Sequence, residues 1–240
     1  MKKQKKNNFS IADRIIKLQN CASTKQQLQL VQQISMNYVT GEEELLELLV
    51  QRRIIQKLDL SSLDSILFEI LSTSTSETIQ YSLCNYFSNG IVQLKSSLNV
   101  DYQPLQNLLM AYNYKEADKL TQLQLCKLAG LDRNSTRNWL YFTDIALLPS
   151  DDLLTIDLLW RMYSRDKFGF SQQRKIWLRN SANWEKFWRQ IGWIDQGVAR
   201  RYPDEFTWDI DAPHGHLPLF NQLRGVQVIF ALFNHIAWHT

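Results

Sequence analysis

A chain of 240 residues is long enough to bury one or two hydrophobic cores, and its 45% hydrophobic and 21% charged content is that of an ordinary globular protein. No apolar run approaches the ~20 residues that a membrane-crossing helix needs. The net charge is only +3, with 11 basic and 9 acidic groups in residues 1–100 and 16 and 15 in residues 101–240. The basic excess that lets a nucleic-acid binder neutralise phosphates is missing, so no nucleic-acid partner is expected.

The first eight residues, with Lys2, Lys3, Lys5 and Lys6, read as a short, basic, disordered tail. Such a tail is also compatible with a peripheral contact to an acidic membrane. It has neither the apolar segment of a secretory signal nor an Arg- and Ser-rich transit pattern, which predicts action in the compartment where the chain is made. Helices are predicted over about 10–19 and 25–38. Thr40-Gly41-Glu42-Glu43 reads as a capping box opening a helix that carries Leu45, Leu48, Leu49, Ile55 and Leu58. Leu63, Ile66, Leu67, Ile70 and Leu71 form the stripe of a helix begun at Ser61 or Ser62, and a further helix over 76–87 stops at Asn89-Gly90.

All eight tryptophans fall between Trp139 and Trp238, and all five prolines lie at Pro104 or beyond. That shift divides the chain into an N-terminal helical bundle, 1–100, and a core domain, 101–240. In the core domain Pro104 suits the first turn of a helix bearing Leu105, Leu108 and Leu109. A second helix runs from Lys115 to Ala129 and stops at Gly130. Ser150 is the predicted cap of a third, with Asp151 and Asp152 placed against its dipole, and Ser171 that of a fourth carrying Ile176 and Trp177. After Trp193 follow some twenty loop residues with Gly197, Pro203, Pro213, Gly215 and Pro218; loops of that length tend to be functional. The fold class is all-α with long loops.

No catalytic signature survives inspection, so the chain reads as a binding protein and not an enzyme. Gly192 and Gly197 have phosphate-loop spacing, but Val198 stands where lysine is required. His214 and His216 lack a third ligand, His235 and His239 form an isolated i, i+4 pair, and Asp209 and Asp211 suit local turn amides, so no intrinsic metal is expected. Cys21, Cys84 and Cys126 have no CxxC pairing and read as reduced, buried thiols. What stands out is a set of loop aromatics, Phe168, Phe170, Tyr202, Phe206 and Trp208, accompanied by Arg200, Arg201 and Arg224. Flat rings with guanidinium groups suit a large, flat, apolar ligand with anionic edges; a tetrapyrrole, a nucleobase stack and a partner helix all remain open on these grounds.

The runs Phe168-Gly169-Phe170-Ser171, Phe206-Thr207-Trp208-Asp209, Ala212-Pro213, Gly215-His216-Leu217-Pro218 and Asn221-Gln222-Leu223-Arg224-Gly225 resemble the genomes-uncoupled four family. Supporting stretches are Asp101-Tyr102-Gln103-Pro104-Leu105, Ala117-Asp118 and Trp139-Leu140-Tyr141-Phe142-Thr143, so that the resemblance spans residues 101 to about 238. It implies a non-catalytic protein that binds protoporphyrin IX and Mg-protoporphyrin IX and stimulates magnesium chelatase by associating with its large porphyrin-binding subunit. It further implies an all-helical fold with a loop, here about 195–208, over a greasy face. Arg224 would pair with a propionate and Phe206 would cover the ring, with Tyr202, Arg201, Trp208, Phe168, Phe170 and Phe142 completing the porphyrin site. Ala199 and Tyr202 stand where cyanobacterial relatives often carry tryptophan, and Gln227 where they often carry a second arginine. The alternative is a helical adaptor of the chelatase that binds no porphyrin. The chain resembles the cyanobacterial and algal plastid type, which predicts a plastid-encoded stromal monomer or its counterpart in the cyanobacterial cytoplasm.

Overall fold

The computed structural model describes residues 11–36, 39–131, 137–219 and 226–239. Among them are eleven α-helices and one two-stranded hairpin, the expected all-α class. No described helix is long and apolar enough to cross a membrane. The chain forms two compact units, Met1–Ile91 and Val92–Thr240.

In the first unit α1 (Ile11–Gln19) packs on α2 (Thr24–Ser35), which lies against α3 (Val39–Val50) and α4 (Ser62–Ser72); α5 (Glu77–Phe87) closes on α3 and α4. Residues 37 and 38 of the predicted second helix lie outside the described residues. The stripe on α4 is buried at Leu63, Ile66, Leu67 and Leu71, and it meets Leu45 and Leu49 of α3 in one apolar core. The α4 start is a capping box, with Ser61 N–H donating to Asp64 Oδ2 at 2.9 Å.

Three expectations fail in this unit. Cys84 is exposed and Cys21 partly so, and of the three thiols read as buried Cys126 alone is, because Cys84 falls on the outer face of α5. Thr40 is not a cap, because α3 already begins at Val39 and Thr40 falls inside its first turn. The apolar stripe does not continue to Ile55 and Leu58, which are 61% and 41% exposed. The helix instead widens into a π turn over Gln51–Ile55, which rotates the stripe out of register and turns Arg52 inward. Arg52 donates from Nε to Asp64 Oδ1 at 2.7 Å and from Nη2 to Oδ2 at 3.1 Å, pairing a carboxylate with no exposed surface.

In the second unit α6 (Gln103–Met110) packs on α7 (Tyr114–Leu128) and α8 (Ser150–Met162). Helix α9 (Phe170–Arg179) joins α8, α10 (Trp184–Gln190) and α11 (Val226–Phe233). Tyr114 stacks on Trp160 at 6.0 Å and meets Phe168 edge-on at 5.4 Å. Trp160 Nε1 donates to Thr121 Oγ1 at 3.0 Å, so the indole is buried without an orphaned N–H. A second cluster joins Trp184, Phe187 and Phe233.

Caps in this unit differ from the sequence reading because partners distant in sequence supply them. Pro149, not Ser150, occupies the cap of α8, and Asp152 has a larger role than meeting the dipole. It is fully buried and accepts from Ser97 N–H at 2.9 Å and Tyr102 OH at 2.7 Å. These bonds, with Thr155 Oγ1 donating to Lys95 O at 2.9 Å, fix residues 95–102 to α8. Gly169, not Ser171, is the cap of α9, and the carboxylate that serves its first turn is Asp157 of α8. Ser171 donates to it from N–H and from Oγ, both at 2.7 Å.

Candidate functional site

The sequence predicts one long loop after Trp193, but its first part is a hairpin of β1 (Ile194–Asp195) and β2 (Val198–Ala199). Gln196 and Gly197 form its two-residue turn with φ of 47° and 85°, the backbone that matches strand twist in tight hairpins. Strands of two residues carry no periodicity for a sequence reading to detect.

The loop then folds back on itself. Arg200 Nη1 donates to Glu205 O at 2.7 Å, and Arg201 N–H donates to Glu205 Oε2 at 2.7 Å. Trp208 Nε1 donates to Pro203 O at 2.9 Å, and its ring meets Tyr202 edge-on at 6.0 Å. The Arg201 guanidinium is exposed and has no ion pair among the described residues.

His216 holds the stem of this loop, although the sequence offers it only as one of a histidine pair that lacks a third metal ligand. Its ring is buried, with Nδ1 2.6 Å from Ile191 O and Nε2 accepting from Thr207 N–H at 3.2 Å. A carbonyl can only accept, so the proton sits on Nδ1 and Nε2 is bare. Burial lowers the imidazole pKa, and the hydrogen bond to Ile191 O opposes that shift. Phe206 packs on the ring at 5.5 Å. His235 is likewise structural: Nε2 meets Leu148 O at 3.0 Å and Nδ1 accepts from Ala237 N–H at 3.1 Å. Asp209 Oδ1 accepts from Asp211 N–H, the local turn role expected of it. Among the described residues no group of three or more His, Cys, Asp or Glu could hold a metal.

Helix α7 is the floor on which the candidate site stands. Its residues Glu116, Lys119 and Leu123 share one face, and Leu123 is 58% exposed. On one side lies Tyr202, 40% exposed, close enough for Asp118, Lys119 and Glu116 to act on its hydroxyl; burial raises that pKa first and Asp118 adds to it. On the other side Gln122 Nε2 donates to Asn138 O at 3.4 Å, bringing in the segment that carries Tyr141 and Phe142, each 50% exposed. Arg137 in that segment sits 4.6 Å over the Tyr141 ring while binding Asp144 through Nη1 at 2.6 Å and Nη2 at 3.1 Å. The pair lowers the Asp144 pKa. Beneath this face Asp118 accepts from Leu219 N–H at 2.6 Å, and burial pushes its carboxyl up to about 7. The arrangement places the exposed Leu123 and the Glu116–Lys119 pair of α7 near the half-exposed ring of Tyr202, with Tyr141 and Phe142 exposed in the segment that Gln122 binds.

The GUN4-like family model matches residues 95–236, well over half of the chain. The chain belongs to the GUN4-like family. Its relatives include ycf53 of Porphyra purpurea, 48% identical over 217 residues that cover 89% of this chain and 90% of the relative. The Ycf53-like protein of Synechocystis is 40% identical, covering 90% and 92%. The tetrapyrrole-binding protein, chloroplastic, of Arabidopsis thaliana is 34% identical over 58% of this chain and 56% of its own length. GUN4 from Chlamydomonas reinhardtii superposes with a TM-score of 0.56 at 40% identity, covering 61% of this chain and 96% of that one. These relatives place the chain in a plastid or cyanobacterial lineage.

Within this GUN4-like chain the residues nominated from sequence have unlike surroundings. Tyr202, Arg201 and Phe142 are exposed, and Trp208 is half-buried. Phe206 is 6% exposed and turned onto His216, so its ring faces the base of its own loop. Phe168 and Phe170 have no exposed surface at all. They are core residues and not loop aromatics: Phe170 opens α9, Phe168 meets Tyr114 of α7 edge-on at 5.4 Å, and Gly169 between them lies against Asp157 and Arg161 of α8. Arg224 lies outside the described residues. Sequence reasoning missed Asp118 and Leu123. Asp118 interrupts the buried stripe Tyr114, Ala117, Thr121, Leu125 and Leu128 of α7, and a lone carboxylate in such a stripe was the available signal.

Proposed function

We propose that this chain is a non-catalytic tetrapyrrole-binding regulator that holds protoporphyrin IX or Mg-protoporphyrin IX on the α7 face. In this reading it stimulates magnesium chelatase through the large porphyrin-binding subunit, as a monomer in the plastid stroma or the cyanobacterial cytoplasm. Residues 101–240 bind the ligand, and residues 1–100 serve as scaffold or docking surface. The observation that carries the proposal is the exposure of Leu123 on α7, of Tyr202 near Glu116 and Lys119, and of Tyr141 and Phe142 in the segment that Gln122 of α7 binds at Asn138, with Arg201 exposed and without an ion pair among the described residues. Apolar side chains cover the macrocycle, and arginines, with Arg224 foremost, meet the propionates. The tetrapyrrole-binding Arabidopsis relative supports the ligand class. An open face leaves one side of the ligand wet, so a dissociation constant near micromolar, about −8 kcal/mol, is expected.

The test is a titration of the full chain with a soluble protoporphyrin IX analogue, following tryptophan quenching and the Soret band. Saturation with a Soret shift supports the proposal. Arg224→Ala should weaken binding roughly 10- to 100-fold, the loss of one charge-assisted hydrogen bond worth about 1–3 kcal/mol, without changing the far-UV spectrum. Unchanged affinity in the folded variant removes Arg224 from the site. The burial of Phe206, Phe168 and Phe170 favours the adaptor alternative, in which the face meets only protein. A flat titration from folded protein that still binds the chelatase subunit would establish that alternative.

A further inference from the structure

Asp118 is unusual in its surroundings. It is 6% exposed, and the Leu219 amide, at 2.6 Å, is the one hydrogen bond its carboxyl makes among the described residues. No cation pairs with it there. Helix α6, packed on α7, carries no ionisable residue, and neither does the segment 217–219. Helix α8 meets α7 through Trp160 and Thr121, and none of its charged groups acts on Asp118. From the ligand loop, Tyr202 is the group that feels it. On α7 itself Glu116 and Lys119 bind each other at 2.6 Å. Among the described residues Asp118 is therefore a buried acid with no cation paired to it, and Tyr202 of the loop assigned to the ligand lies close enough to feel its charge.

We propose that Asp118 makes binding at this face proton-linked: the site accepts an anionic ligand with Asp118 neutral, and ionisation of Asp118 weakens binding. The inference rests on the tetrapyrrole reading above, because only an anionic ligand is repelled by the ionised carboxylate. Leu219 N–H can donate to either form, so the segment 217–219 stays docked while the charge alone changes. Burial places the titration of the ligand-free site at about 7, and both forms are populated around neutrality. A bound anion disfavours ionisation further, so the complex holds more protons than the free protein. Affinity then falls as pH rises through the window above 7. His214 and His216, both shifted down by burial, titrate below that window.

The test uses the full chain and a soluble protoporphyrin IX analogue between pH 6.5 and 8.5, where the ligand carboxylates are already ionised. Wild type should bind roughly 10-fold more tightly at the acid end, the effect of a bound-state shift of about one pKa unit. Calorimetry in two buffers of different ionisation enthalpy should register proton uptake on binding, a readout that needs no variant. Asp118→Asn keeps an acceptor for Leu219 N–H and removes the charge; its affinity should be high and independent of pH. Asp118→Ala, lacking the acceptor, separates charge from positioning. Binding without a pH slope or proton uptake overturns the inference and leaves the tetrapyrrole reading standing, as does a slope that persists in Asp118→Asn. No binding by folded wild type at any pH removes both.

Discussion

Replacing His216 by alanine should destabilise the second unit by about 2–4 kcal/mol and weaken ligand binding at the same time. Two effects add. The deletion leaves Ile191 O and Thr207 N–H without the ring that joins them, and each buried polar group left unpaired costs about 1–3 kcal/mol. It also removes the surface on which Phe206 packs, opening a void under the loop. The stem of the 194–208 segment then loses its connection to residue 191, and Tyr202 loses its fixed place near α7. The same ring predicts an acid limit for wild type. Burial holds its folded pKa below the unfolded value of about 6.5, so the unfolded chain binds more protons in between. The stabilising contribution is complete above about pH 6.5 and is lost as pH falls through the depressed folded value. Urea denaturation of wild type and His216→Ala at pH 7.5 and 5.5, read by tryptophan emission, checks both statements: the difference between the two proteins isolates the ring from Asp118, whose raised pKa acts in the opposite direction as pH falls. A variant as stable as wild type at pH 7.5 would show that the clamp contributes nothing.

Gly169→Ala should cost about 3 kcal/mol or more. Gly169 has φ 119° and ψ 155°, a region that residues with a Cβ scarcely occupy. An added Cβ would lie 2.8 Å from Asp157 Oδ1 and 2.9 Å from Arg161 Cγ. Asp157 cannot retreat without releasing the Ser171 N–H and Oγ that it caps, so strain and loss of the α9 cap come together. Gly197→Ala is the control: φ is 85° but nothing lies within 4 Å of the added carbon, and about 1 kcal/mol is expected. Chemical denaturation of the two variants side by side separates crowding from backbone preference. Equal losses would mean that the approach to Asp157 carries no weight.

The sequence reading succeeds where order is local and periodic. The α4 stripe, Pro104 in the first turn of α6, and the stop of α7 before Gly130 are all found where spacing and breakers place them. It fails where the partner is remote. Asp152 looks like a dipole residue until Ser97 and Tyr102 reach it across 55 and 50 positions. Ser171 looks like a cap until Asp157 takes that task from the neighbouring helix. Loop aromatics cannot be sorted into exposed and buried by composition: Phe142 and Phe168 both neighbour turns, yet one is half exposed and the other fully enclosed. The surroundings of α7 were invisible for the same reason, since Tyr202 and the segment bound at Asn138 approach it from positions more than sixty apart in sequence.

The confinement of every tryptophan to residues 139–238 has a practical corollary, given that the chain forms two compact units divided after Ile91. Indole emission is blind to α1–α5, whereas the far-UV helical signal weights both units. A melting curve recorded by each is therefore a direct test of cooperativity. Coincident transitions would mean that the units unfold as one thermodynamic species; separated ones would assign the first loss of ellipticity without emission change to the N-terminal bundle.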